Sequence, residues 1–187
     1  AKQEATSVIR TGNAIKVVVK VKRKFWPDDA WDVVCSDSFI PELWLTPAAR
    51  VLAGEALKEY YWVGFVSGER ADRLRALPQA EVARKMLLQL DAIFGSTSDP
   101  HPASEACTGS LVADWGKDPY AKGAYTLPSI NGLGQRTALA APVGSKLFFV
   151  GEATQEGVNP CIQAAMDTGA RAAIEVVTAL HAHRSKL

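Results

Sequence analysis

One segment near the start of the chain alternates strictly between two kinds of side chain, and this alternation limits what the chain can fold into. Within residues 15–22 one set of side chains is wholly β-branched and apolar: Ile15, Val17, Val19 and Val21. The other set is mostly charged: Lys16, Val18, Lys20 and Lys22. A repeat of two with β-branched residues is typical of a strand that buries one face and exposes the other. The sequence therefore predicts a sheet with one covered face, and Lys16 on the opposite face.

Other segments predict a mixed fold of helices and strands. Strands are predicted at residues 59–66 and 110–115, an irregular segment at 37–54 and a loop at 96–104. Residues 78–94 predict a helix, because Pro78 suits the first helical position. One apolar face of this helix is formed by Val82, Met86, Leu90 and Ile93. Gly95 is expected to supply a left-handed C-terminal cap.

Composition excludes several classes of protein. The 187 residues are 48% hydrophobic and 22% charged, which is typical of a globular domain with a core. A net charge of +1 gives no field that would attract nucleic acid, and no apolar run is long enough to span a bilayer. The three cysteines are too few and too scattered for a disulfide framework or a zinc site. With no signal peptide visible, we expect a soluble, intracellular protein with no metal and no nucleic-acid partner.

The C-terminal quarter of the chain carries the clearest pattern for a ligand site. Residues 146–151 predict a short buried strand, Glu152 follows it, and a helix is predicted from Pro160 with Asn159 as its N-cap. The buried stripe of this helix is predicted to contain Ile162, Met166, Ala170, Ala173, Ile174 and Val177. In open α/β sheets, nucleotide-like ligands bind where a strand end faces a helix N-terminus. An ordinary capped helix in a β/α unit is the alternative that this pattern leaves open.

Three motifs, in order along the chain, resemble one family. LFFVGEAT followed by AAMDTGARAAIEV is similar to the C-terminal flavin motif of the flavin-containing amine oxidases. DWGKDPYAKGAYT is similar to their Trp…Gly-x-Tyr segment, and TGNAIKVVVKVKRKFW resembles the strand that carries their lysine. The resemblance implies an α+β or α/β chain that is part of a two-domain, FAD-dependent amine oxidase. Residues 1–140 would then belong to the substrate-binding domain and residues 141–187 would be the last FAD-binding segment.

The resemblance also implies roles at the flavin ring. Lys16 would lie below the ring and hold a water against flavin N5, Trp115 would pack against the ring, and Tyr125 would be one wall of an aromatic cage for the substrate amine. Cys161 falls at the position of the second cage aromatic, so the cage is incomplete. The pattern alone leaves open a solvated lysine at position 16 and ordinary core aromatics at positions 115 and 125.

The remaining implied roles concern the cofactor segment. Gly151, Glu152 and Thr154 would line the cofactor, with Glu152 binding a ribityl hydroxyl. The helix from Pro160 would direct the amide of Ile162 at the flavin C2 carbonyl, where its positive end would stabilise negative charge. Family members that attach flavin covalently have a cysteine just before the cage tyrosine, and Ala124 stands there in this chain. The resemblance therefore implies non-covalent FAD.

One motif of the family is absent from this sequence. The family binds the ADP half of FAD through an N-terminal G-x-G-x-x-G loop, and the Gly132-Leu133-Gly134 segment is interpreted as turn glycines instead. We therefore expect the Rossmann βαβ unit to come from a second polypeptide or a larger complex. Two functions follow from the resemblance: oxidation of an amine or L-amino acid by hydride transfer to flavin with O2 as acceptor, or a non-catalytic subunit that kept the fold.

Overall fold

The computed structural model describes residues 1–46, 59–127, 129–157 and 160–184. The chain divides into two compact units. Residues 13–122 form one, called here the sheet unit, and residues 1–12 with 123–187 form the other, called the helical unit. The predicted division after residue 140 concerns ligand binding rather than compactness, and it stays a prediction.

The sheet unit is built on one antiparallel sheet of five strands in the order β3-β4-β5-β2-β6. The strands are β2 (Ala14–Val21), β3 (Asp32–Val34), β4 (Glu42–Thr46), β5 (Tyr60–Ser67) and β6 (Cys107–Asp114). The helices are α2 (Gly68–Arg75), α3 (Gln79–Phe94) and α4 (Pro102–Ala106), with a 3₁₀ turn at Trp115–Lys117. A mixed fold of helix and sheet is thus confirmed.

Strand β2 occupies the inside of the sheet, paired with β5 on one side and β6 on the other. Its odd-numbered side chains, Ile15 to Val21, are fully buried against α3 and its neighbours, as the alternation predicts. Lys16 is exposed on the other face, opposite Phe65 of β5 and Ala113 of β6. The predicted strand, its covered face and the exposure of Lys16 are therefore confirmed.

The interpretation of residues 37–54 as irregular is wrong for residues 42–46, whereas residues 37–41 form no helix or strand. Glu42–Thr46 form β4, which pairs with β5 over its whole length, and residues 47–54 lie outside the described residues. Leu43 is fully buried while Trp44 is only partly so, because alternate side chains face opposite sides of the sheet. Only five residues alternate here, which is too short a pattern to stand out beside Pro41 and Pro47.

Helix α3 matches its prediction except at its ends. Val82, Met86 and Leu90 are buried as predicted, whereas Ile93 is largely exposed. The expected left-handed cap at Gly95 is wrong, because this residue is extended, with φ −69° and ψ 152°. A Cβ there would lie 2.4 Å from the Asp91 carbonyl oxygen, so close approach of backbone, not a positive φ, explains the glycine.

The polar loop predicted at residues 96–104 contains the start of helix α4, and a buried carboxylate caps that helix. Asp91 of α3 is only 5% exposed, and its Oδ1 accepts hydrogen bonds from the amides of Ala103 (2.7 Å) and Ser104 (3.1 Å). The Ser104 hydroxyl donates to Oδ2. A carboxylate from another helix thus satisfies first-turn amides that have no partner within their own helix.

The helical unit contains four helices and a two-stranded ladder among its described residues. The helices are α1 (Lys2–Val8), α5 (Gln135–Ala140), a 3₁₀ turn at Glu152–Thr154 and α6 (Ile162–Arg184). The ladder pairs β1 (Arg10–Gly12) with β7 (Tyr125–Leu127), antiparallel. No described helix in either unit is both long and apolar enough to cross a membrane.

The strand predicted at residues 146–151 is not formed. Within the described residues its only ladder contact is an isolated bridge from Leu147 to Val143, and residues 148–150 belong to no strand. Val150 is 57% exposed. An apolar run becomes a strand only when its backbone groups pair with a neighbouring strand, and the described part of the helical unit offers none beside it.

The buried stripe predicted for α6 is also wrong. Ile162 and Met166 are 76% and 70% exposed, whereas Ala164, Thr168 and Ala172 are buried against the unit. The described helix begins at Ile162, and the predicted N-cap, Asn159, lies outside the described residues. Large apolar residues and small ones follow opposite sides of this helix, so periodicity alone could not say which side packs within the chain.

We predict that Asp91 is a main determinant of the packing of α3 against α4. Replacing Asp91→Ala leaves two amides without an acceptor and should lower the free energy of unfolding by about 2–3 kcal/mol. Asp91→Asn keeps one acceptor oxygen and should cost less. Urea unfolding followed by circular dichroism measures both. Asp99→Ala, which breaks a half-buried pair with Arg23 but leaves no helix amide without an acceptor, is the control and should cost less; equal losses at both positions would contradict the prediction.

Candidate functional site

In the helical unit, Glu152 joins two segments that are far apart in sequence. Its Oε1 accepts a hydrogen bond from the backbone amide of Thr126 at 2.9 Å, and its Oε2 accepts one from the Thr126 hydroxyl at 2.7 Å. Thr126 follows Tyr125 in β7. One carboxylate therefore fixes the 3₁₀ turn at Glu152–Thr154 against the strand that carries Tyr125.

A buried arginine completes this cluster. Arg136 of α5 is 8% exposed, and its Nη2 donates to the Thr126 hydroxyl at 2.8 Å. Its Nη1 donates to the Glu152 carbonyl oxygen at 3.3 Å and lies 3.8 Å from Glu152 Oε2. Pairing offsets the cost of removing both charges from water. Arg136, Thr126 and Glu152 are called the Glu152 cluster below.

Helix α6 holds the other side of the same turn. The Gly151 amide donates to the Thr168 hydroxyl at 3.1 Å, and Arg171 Nη2 donates to the Phe149 carbonyl (2.9 Å) and to the Thr154 hydroxyl (3.1 Å). Thr154 in turn donates to the Gly151 carbonyl at 2.8 Å. Residues 149–154 are thus held by side chains from α5, α6 and β7, which compensates for the missing strand partner.

The backbone at Gly151 leaves room for a ligand. Its φ of 131° and ψ of 162° are a combination that side-chain-bearing residues rarely adopt, and among the described residues none but its chain neighbours has an atom within 4 Å of the position where a Cβ would stand. The Glu152 oxygens each retain a lone pair, because a carboxylate can accept about four hydrogen bonds and these accept two. This edge therefore offers an acceptor beside open space.

The start of α6 supplies donors. Pro160 and Cys161 are partly buried and precede the first helical residue, Ile162. The Cys161 sulfur accepts a hydrogen bond from the Ala164 amide at 3.4 Å, and the first-turn amides of a helix lack intrahelical partners and carry its positive end. Within the helical unit the chain thus contains an acceptor at Glu152 and donors at the start of α6.

The sheet unit contributes an open, partly aromatic face that carries Lys16. Lys16 Nζ lies 5.8 Å from the centroid of the Trp44 ring, and that ring is 6.2 Å from the ring of Phe65. Lys20, on the same face, is instead paired with Glu59 at 2.6 Å, and this hydrogen bond raises the pKa of Lys20 above its usual value. Lys16 Nζ lies over the Trp44 ring, whereas Lys20, the register partner of Tyr61, is paired with a carboxylate.

Trp115 opens the 3₁₀ turn that follows β6, and it is 48% exposed. Its indole is therefore not an ordinary core aromatic within the described structure. Tyr125 is partly buried in β7. The predicted roles of these two side chains, like those of the other predicted site residues, stay predictions.

The predicted site residues are divided between the two units. Tyr125, Gly151, Glu152, Thr154, Pro160, Cys161 and Ile162 belong to the helical unit; Lys16 and Trp115 belong to the sheet unit. Sequence reasoning missed Thr126 and Arg171, and it did not connect Arg136 with Glu152. One signal was available: Ala164, Thr168 and Ala172 recur every four residues, a small-residue stripe that allows close packing on one side of α6.

Comparison with known proteins identifies the family of this chain. Residues 1–177 match the family described as flavin containing amine oxidoreductase. The chain is 28% identical over its whole length to "Lysine-specific histone demethylase 1 homolog 2" of Oryza sativa, of which it covers 24%. It is 25% identical to "Amine oxidase [flavin-containing] B" of Cavia porcellus, with 96% of this chain and 33% of the relative aligned. Cyclohexylamine oxidase from Brevibacterium oxydans superposes on 95% of this chain with a TM-score of 0.76 at 20% identity, and the match covers 38% of that chain.

The chain belongs to the flavin-containing amine oxidoreductase family, which implies a flavin cofactor. It spans about a quarter of the rice relative and under two-fifths of the matched oxidase structure.

We predict that the Glu152 cluster acts as one energetic unit. Arg136→Met leaves Glu152 without its cationic neighbour and should lower the free energy of unfolding by about 2–4 kcal/mol. Thr126→Val keeps the backbone contact and should cost about 1 kcal/mol. Chemical denaturation of single and double variants gives the coupling between positions 136 and 152, expected at roughly 1–3 kcal/mol.

Arg84→Met is the matched control for this test, because Arg84 forms a bidentate contact with Glu81 on the exposed side of α3. It should leave stability nearly unchanged. Strict additivity of Arg136→Met and Glu152→Gln would show that the two side chains do not act together.

Proposed function

We propose that this chain is the C-terminal part of an FAD-dependent amine or L-amino-acid oxidase. Family membership supports a flavin enzyme, and the observation that carries the proposal is the Glu152 cluster. It ties the strand of Tyr125 to the Gly151–Thr154 segment, beside open space.

The residues present fit a flavin. Glu152 offers acceptor capacity for ribityl hydroxyls, Gly151 lets a ligand approach the backbone, and the start of α6 at Ile162 offers amides to a carbonyl oxygen. FAD would be held without a covalent bond, because Ala124 has no sulfur to form one. When bound, the flavin accepts a hydride from the amine α-carbon and passes the electrons to O2, yielding an imine and hydrogen peroxide.

The side chains of this chain would bind a water, contact the flavin ring and orient the substrate amine. Lys16 presents an ammonium that can hold a water and a proton on the open face of the sheet. Trp115 presents an exposed indole surface for packing against a flat ring, and Tyr125 would orient the substrate amine. Cys161, at the place of a second aromatic, leaves the cage incomplete, which favours a substrate other than a simple monoamine.

We further propose that α6 binds the nucleotide-binding half of the flavin domain. That half would belong to a second polypeptide, a larger assembly or another part of a longer chain. Ile162, Met166, Ile174 and Val177 form an exposed apolar stripe opposite the small residues that pack within the unit. A helix that is apolar on both sides is typical of one buried on both sides. The unpaired segment 148–150 and the 38% coverage of the oxidase structure support the same occupant.

We predict that the purified native assembly shows the absorbance bands of oxidised flavin, and that an amine or amino acid bleaches them under anaerobic conditions. Lys16→Met should slow reoxidation by O2 roughly 100-fold, the loss typical of a positioned proton-transfer group, while the fold is retained. Stopped-flow absorbance measures both half-reactions.

Lys20→Met is the matched control, because Lys20 lies on the same strand face but is paired with Glu59. It should leave reoxidation unchanged. A colourless assembly isolated with stoichiometric partners would favour the non-catalytic subunit, and unchanged turnover in Lys16→Met would remove the role of Lys16.

We predict that native mass spectrometry finds this chain bound to the nucleotide-binding half. Met166→Asp should weaken that association about 30-fold or more, as expected for a central apolar contact worth about 2 kcal/mol. Thr178→Asp introduces the same charge on an exposed, polar position of α6 and serves as the control. Equal binding by both variants would exclude the apolar stripe as the contact.

A further inference from the structure

A second charged cluster lies in the sheet unit, where the end of β6 meets the end of α2. Arg75 and Asp114 form a bidentate contact: Nε donates to Oδ2 at 3.0 Å and Nη2 donates to Oδ1 at 3.2 Å. The Asp114 side chain is only 5% exposed. Paired, parallel hydrogen bonds of this kind fix direction as well as distance.

The same carboxylate also fixes the turn that carries Trp115. Asp114 Oδ1 accepts a hydrogen bond from the Gly116 amide at 3.0 Å, which closes the 3₁₀ turn on both sides of Trp115. Lys117 Nζ donates to the Arg75 carbonyl at 3.4 Å. The side chains of Asp114 and Lys117, at the two ends of this turn, thus both form hydrogen bonds with Arg75.

Gly116 is required by this arrangement. A Cβ at position 116 would lie 1.5 Å from Arg75 Nη2, so the guanidinium rests directly on the glycine backbone. A residue with a Cβ would displace the end of the Arg75 side chain from this position, and its Cβ would also lie 2.6 Å from Asn13 Oδ1. The position of the Arg75 guanidinium therefore depends on a glycine at position 116.

The cluster also reaches the strand of Lys16. Asp114 is the register partner of Ile15 in β2, directly before Lys16. Asn13, just before β2, donates from Nδ2 to Asp72 of α2 at 3.2 Å. The end of α2 thus contacts the start of β2 and the end of β6 together.

We propose that Arg75 is a positioning residue that, through Asp114, fixes the Trp115 turn relative to the strand of Lys16. That Trp115 and Lys16 contact flavin rests on the proposed function. The positioning role of Arg75, called the Arg75 clamp below, rests on the hydrogen bonds described above. Arg75 acts on the turn through the carboxylate of Asp114, its position against the backbone of Gly116 and the hydrogen bond that its carbonyl accepts from Lys117.

The test uses ¹⁹F NMR of the flavin-free chain labelled with 5-fluorotryptophan. The chain has five tryptophans, and Trp115→Phe identifies the Trp115 resonance. In Arg75→Met we expect that resonance to shift and broaden while the resonances of the core residues Trp26 and Trp62 stay in place. Arg75→Lys keeps the positive charge but cannot form the bidentate contact, so the Trp115 resonance should shift less than in Arg75→Met. Arg84→Met, which breaks an exposed bidentate pair, should change nothing.

Each outcome decides the proposal. A Trp115 resonance that is unchanged in folded Arg75→Met overturns it. If Arg75→Met does not fold, Asp114→Asn and Arg75→Lys are judged by the same criterion. Titration of FAD into the native assembly tests the proposed function separately. If the assembly binds no FAD, the proposed function is wrong, but a shifted Trp115 resonance in Arg75→Met still supports the Arg75 clamp.

Discussion

The two-sided character of strand β2 is the constraint on which the sheet unit depends. Its β-branched side must be covered, and α3 covers it; its other side carries Lys16 and must remain accessible. Because β2 pairs on both edges, it also fixes the register of β5 and β6. The face that carries the predicted catalytic lysine is therefore a direct consequence of which face forms the core.

Charged clusters, rather than apolar packing, hold the irregular segments. Arg136 with Glu152 fixes the Gly151–Thr154 turn, and Arg75 with Asp114 fixes the turn of Trp115. Both turns lack a strand partner of their own, so side chains from neighbouring helices must satisfy their polar groups. Such clusters specify one arrangement because each donor has a defined acceptor, and breaking one partner leaves a buried charge.

The sequence pattern of helix α6 is compatible with burial of either of two sides of the helix. Its large apolar residues predicted a buried stripe, but within the described structure its small residues pack and Met166 is exposed. Small residues let the helix backbone approach the 149–154 segment, where Arg171 and Thr168 make hydrogen bonds. The large residues are then left for a neighbour, consistent with a chain that spans only part of its matched relatives.

Local patterns in the sequence determined β2, β5 and α3, because period and propensity act over neighbouring residues. The motifs around Lys16, Trp115 and Glu152 were sufficient to indicate the family. Only the tertiary structure decided that residues 146–151 form no strand, that β4 exists and which side of α6 packs, because each depends on a partner distant in sequence. The same holds for Arg136 and Arg75: nothing in the residues beside them indicates Glu152 or Asp114, and only the folded chain brings those charges within hydrogen-bond distance.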